Sequence, residues 1–156
     1  MRRIILRTPE EKADLDSCWS RPDEEFFASG ACHVLAAAFL IEYPEAGFQP
    51  WRFAPSAGHR GGHMVVVRDD LVFDWAGYER RDAFLRDYFG AMREIFHDWE
   101  ARFIPVESDP IGWEFCSLHN HRHPSQFLHD PLPRARAFAG RFPPESRCNG
   151  HAIESL

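Results

Sequence analysis

The chain has 156 residues, with 18 lysines and arginines against 24 aspartates and glutamates, and a formal net charge of −6. That length suits a single domain burying roughly 70% of its unfolded surface, and a content of 44% hydrophobic and 27% charged residues is that of an ordinary globular protein. The acidic balance argues against duplex nucleic acid as the main partner, because phosphate binding needs a concentrated basic footprint.

Met1 to Leu6 starts basic, but Arg7 ends the apolar stretch after three residues, so no secretory signal is expected and a cytoplasmic location is the default. Residues 1–25 are polar and interrupted by prolines, and read as irregular with one short helix near Pro9 to Ser17. From Ser29 the pattern changes. Ser29 and Gly30 can cap a helix running from Cys32 to Ile41, rich in good helix formers and stopped before Pro44. This segment is apolar nearly all round, which places it in the centre of the domain. It is also too short to span a bilayer, so no membrane partner is expected.

Gly47 to Gly62 is loop-like, with a short strand near Trp51 to Phe53. Met64 to Val67 and Leu71 to Phe73 are two β-rich runs flanking Asp69 and Asp70, the pattern of a hairpin. From about Asp82 to Arg102, large apolar residues from Phe84 to Trp99 recur on one helical face, as a core-packed helix requires. Ile111 to Leu118 reads as a strand and Pro133 to Phe142 as a short helix, and residues 143–156 as partly irregular.

The four cysteines are too few for a disulfide scaffold, so each is read as free, metal-ligating or nucleophilic. Cys32 stands where a helix begins, and there the unpaired N–H groups and the positive dipole end favour a thiolate. A two-residue Asp69-Asp70 turn sets Val65 opposite Asp74, so His63 and Asp74 emerge on the same sheet face as diagonal neighbours. The carboxylate can then fix the imidazole tautomer and aim the other ring nitrogen at a thiol. Val65, Val67 and Val72 share that face and are expected to pack on the Cys32 helix. His33 is read as a packing or capping residue.

The segments Gly30 to Ala36, Gly62 to Val67 and Val72 to Gly77 resemble the Cys, His, Asp order of papain-like and transglutaminase-like cysteine enzymes, notably small bacterial members. The resemblance covers about residues 29–77. It implies an α+β fold of papain-like character, a central cysteine helix on a short antiparallel sheet. It also implies amide hydrolysis or acyl transfer, with Cys32 as nucleophile, His63 as base and then acid, and Asp74 as orienter. That chemistry needs no metal or organic cofactor, and its partner is a peptide, a protein or a small amide. One departure stands out. Papain-like peptidases place a glutamine upstream of the cysteine, whereas Gln49 and Gln126 both lie downstream here. The second oxyanion donor would then come from Ser17, Trp19 or Ser29.

Two other readings stay open. The first is an inactive relative that binds a partner in the old groove. The second is a zinc-stabilised interaction domain, because Cys116 with His119 and Cys148 with His151 form two C-x2-H pairs. His121 and His123 add alternative ligands.

Overall fold

The computed structural model describes residues 2–145. Three short helices, α1 (Pro9–Ala13), α2 (Leu15–Trp19) and α3 (Asp23–Ala28), precede the cysteine helix α4 (Cys32–Glu42). Strands β1 (Gln49–Pro55), β2 (Met64–Arg68), β3 (Leu71–Asp74) and β4 (Gly77–Arg80) follow. Helix α5 (Arg81–Ile95), strand β5 (Ala101–Pro105) and helices α6 (Trp113–Leu118) and α7 (Leu132–Ala139) complete the order, with a 3-10 turn at Pro124–Gln126.

The five strands form one antiparallel sheet in the order β4-β3-β2-β1-β5. The fold is thus α+β, with α4 packed on a small antiparallel sheet. Asp69, at φ +54°, makes the tight β2–β3 turn and sets Val66 against Phe73, Val67 against Val72 and Arg68 against Leu71. This is the register the sequence anticipates.

Alternation along β2 feeds two separate cores. Met64 and Val66, with Phe73, join Val34, Leu35, Ala38 and Phe39 of α4. Val65, Val67 and Val72 join Phe84, Tyr88 and Met92 of α5 instead, together with Phe53 and Trp99. The expectation that these valines meet the Cys32 helix is therefore corrected, because they belong to the opposite face. Burial on both faces also explains the uninterrupted apolar run Met64 to Val67. Helix α4, closed in by α3, α7 and the sheet, buries every residue from Cys32 to Phe39, so its lack of a polar face has a direct cause.

Three other segments differ from the sequence reading. The first helix divides at Asp14, whose carboxylate caps α2 through Ser17 N–H, and α3 is additional. Helix α5 ends at Ile95 rather than near Arg102. Trp99 keeps its core position from the following turn by donating its indole N–H to the Arg60 carbonyl at 2.6 Å, and the chain then pairs with β1. Its apolar spacing thus outlasts the helix that it imitates. Ile111 to Leu118 forms helix α6, not a strand, because Asp109 makes a turn that accepts from the Ile111 and Gly112 amides. Only the adjacent Phe115 and Cys116 are buried there, which is no strand pattern. No helix among the described residues is long and apolar enough to cross a membrane.

Candidate functional site

Ala31 occupies the N-cap of α4 and offers no side-chain cap, so the expected capping by Ser29 and Gly30 is not formed. The orphan amides of the first turn are left to other acceptors. The Cys32 thiol accepts from Met64 N–H at 3.4 Å, and the backbone N–H groups of Cys32 and His33 favour its anion. The Met64 bond ties the sulfur to the residue that follows His63.

His63 immediately precedes β2, with its carbonyl accepting from Phe53 N–H at 3.0 Å to extend the β1–β2 ladder. Its Nε2 lies 2.9 Å from Asp74 Oδ2, across the hairpin, as the register requires. Asp74 is fixed in turn, since Ala76 N–H bonds Oδ1 at 3.0 Å and the Arg2 guanidinium bonds Oδ2. Nε2 must carry the proton toward that carboxylate, which leaves Nδ1 as the basic nitrogen. The ring stacks on Tyr88 at 5.6 Å, and Tyr88 donates to the Gly61 carbonyl at 3.0 Å.

His63 and Asp74 are buried, and burial outweighs every other influence on the ring. It lowers the His63 pKa to about 3, with the charges of Arg2 and His121 acting in the same direction. The contact is therefore a hydrogen bond from a neutral imidazole. Burial likewise pushes the Cys32 thiol up, opposed by the three N–H groups and by the Arg7 charge. Desolvation thus works against the thiolate expected at the helix start, while the N–H groups and the Arg7 charge work for it.

Cys32 and His63 line one cavity of about 790 Å³, whose wall also includes the N-terminal residues 2–7, Tyr88 and His121. Asp74 stands behind His63 and outside this lining. Ser29 is part of the wall, but its hydroxyl accepts from Arg7 Nε at 3.2 Å. Ser17 and Trp19 are not part of it. The Ser17 amide bonds Asp14, and the Trp19 ring packs on Phe26 and His129.

A second constellation shares Cys32. The ligand atoms of Cys32, His33 and His121 lie within 4.8 Å of one another and form a candidate zinc-type cluster. His33 Nε2 is 2.7 Å from the Arg122 carbonyl and must donate to it. Its Nδ1 is then a buried lone pair, without a hydrogen-bond partner among the described residues. A ring held through one nitrogen by a carbonyl, with the other free, is the usual disposition of a metal-ligating histidine. Burial also keeps both rings neutral, lowering His33 to about 4 and His121 to about 3. Three such ligands would leave one tetrahedral position open.

The C-x2-H reading finds different partners. Cys116 is buried, with its thiol on the Pro110 carbonyl at 3.6 Å, and the His119 ring packs on Phe115. Cys148 and His151 lie outside the described residues. His123 stacks on Trp113 at 3.8 Å. A pairing of His33 with His121 has no local sequence signal, because it closes over 89 positions through Arg122. The one available hint was an imidazole inside an otherwise apolar helix. Comparison with family models, with curated proteins and with solved structures found no match for this chain.

Proposed function

We propose that the chain is a cysteine-dependent acyl-transfer or amide-hydrolysing enzyme of papain-like character. The observation that carries this reading is the 2.9 Å bond from His63 Nε2 to Asp74, on a histidine whose neighbour Met64 holds the Cys32 sulfur. In the acylation step, Cys32 Sγ attacks the substrate carbonyl carbon while His63 Nδ1 takes the thiol proton. The same nitrogen then delivers that proton to the leaving amine or thiol as the carbon–heteroatom bond breaks, giving a thioester on Cys32. Water or a second nucleophile, deprotonated by His63, displaces the acyl group. Asp74 holds the ring and stabilises the imidazolium formed in each step.

The test uses p-nitrophenyl acetate as a generic acyl donor and iodoacetamide as a thiol probe. An acetyl group on Cys32, with a burst of p-nitrophenolate, is the expected result. His63→Ala should slow both reactions by about two orders of magnitude or more. Cys32 reactivity indifferent to His63→Ala sinks the catalytic reading and leaves the non-catalytic binding module.

A second reading is favoured by the orphan Nδ1 of His33. Cys32, His33 and His121 would hold zinc, with the thiol deprotonated by the metal and both imidazoles already neutral. The two readings exclude one another at any instant, since Cys32 cannot ligate and attack together. Metal analysis of the purified protein separates them.

A further inference from the structure

The cavity beside Cys32 has a charge that the whole chain does not. Its lining holds seven arginine and lysine side chains and four histidines, and no aspartate or glutamate, in a chain of net charge −6. Arg2 and Arg3 pair with carboxylates. Arg7, Lys12, Arg52, Arg60 and Arg122 have no carboxylate partner among the described residues, although seven other ion pairs show that acidic groups are available elsewhere.

These cations are held together rather than spread apart. Arg60 Nη2 donates to the Arg7 carbonyl at 3.4 Å, and Arg122 Nη2 to the Lys12 carbonyl at 2.6 Å. Arg7 is anchored through Nε on Ser29 and through Nη1 on Cys18. Its guanidinium lies over Gly30, two residues before Cys32, at a site where any Cβ would collide with it. Like charges collected around one concavity repel each other and find relief in a bound anion. Low-dielectric walls focus that field into the cleft. A volume of about 790 Å³ matches a small molecule.

We infer that the cavity binds a small molecule carrying carboxylate or phosphate groups, with Arg7 its contact nearest the sulfur. Given the thiol-nucleophile reading, on which this part rests, the acyl substrate of Cys32 is itself such an anion.

The test compares alkylation of Cys32 by iodoacetate, an anion, with alkylation by neutral iodoacetamide, using glutathione as reference. The expected rate ratio is at least about tenfold above that of glutathione. It should fall several-fold in Arg7→Gln/Arg60→Gln and in high salt. Lys12→Gln/Arg52→Gln is the second variant, since neither side chain has a hydrogen-bond partner among the described residues whose loss would unfold the chain. Calorimetry with pyrophosphate and with tricarballylate then identifies the anion, whichever binds the more tightly being the source. A ratio equal to that of glutathione, with no heat from either anion, overturns the proposal, and so does binding that both double variants retain unchanged. If Cys32 reacts with neither reagent, the nucleophile reading fails by itself and calorimetry alone decides the anion site.

Discussion

Arg2 and Asp74 form a buried ion pair behind His63, with side chains only 6% and 3% exposed. The pair shares Asp74 Oδ2 with the imidazole, and the guanidinium lies over the Phe84 ring at 4.5 Å. Removing one partner of such a pair strands a charge in a medium that solvates it poorly. Arg2→Leu should therefore cost about 3–5 kcal/mol of stability. Asp74→Asn strands the guanidinium instead, although Glu79 still reaches it at 3.2 Å. The double variant should be less damaged than the sum of the two, with a coupling above about 1 kcal/mol by urea denaturation. Additive single effects would mean that the pair is not coupled.

Sequence reasoning reached the His63–Asp74 pair because a hairpin is a local object. A two-residue turn fixes the register, the register fixes the diagonal, and the side chains must then meet. The body of the Cys32 helix was equally legible from its composition, and its end from Pro44. What failed was any step that depended on distant packing. The valines of β2 carry no label saying which helix covers which face, and both faces are apolar. Trp99 continues the helical spacing of α5 from a turn. His121 meets His33 and Cys32 only through a fold-wide closure. The anion-attracting cavity was equally hidden, since five of its cations come from four separate segments, each unremarkable in one dimension.

Zinc or cobalt(II) should bind one per chain where Cys32, His33 and His121 meet. Cobalt(II) reports the site through thiolate charge-transfer absorption. At a hundredfold excess over Kd, the metal should stabilise the fold by about 2.7 kcal/mol. His33→Ala and His121→Ala should abolish binding, while His63→Ala leaves it intact. Bound metal should also protect Cys32 from iodoacetamide. Absorption that survives His121→Ala would place the ion elsewhere.

Two buried imidazoles, His33 and His63, and the half-buried His121 make the fold acid-sensitive in a defined window. The folded state holds His33 at about 4 and His63 and His121 at about 3, against about 6.5 in the unfolded chain. A lowered folded pKa means that the unfolded state binds more protons below pH 6.5. Stability is thus fully present above that pH and declines as pH falls toward 4, by about 1.4 kcal/mol per pH unit for each histidine kept neutral. The urea midpoint should be flat from pH 7 to 8 and fall steeply from 6 to 4.5, above the range where carboxylates dominate. His63→Phe should flatten that slope by about one proton. A wild-type midpoint unchanged between pH 6.5 and 5 would show that these rings take up protons in the folded state.

Gly30 connects the backbone to the charge beside Cys32. Its φ of +112° is a conformation that L side chains rarely adopt, and a Cβ would run into the Arg7 guanidinium. Gly30→Ala therefore meets two separable penalties, one in the backbone and one in the contact. The backbone part should cost about 1–3 kcal/mol. The contact part displaces Arg7 from Ser29 and Cys18, which removes its positive charge from the neighbourhood of the sulfur. Shortening Arg7 to alanine in the Gly30→Ala background relieves the collision but not the strained φ, so part of the lost stability should return. The reactivity of Cys32 separates the two roles further. Gly30→Ala should lower its rate with iodoacetate far more than with iodoacetamide, because His63 and Asp74 lie on the hairpin and keep their bond. An equal fall with both reagents would mean that Gly30 positions the thiol itself, and that Arg7 is only a structural brace.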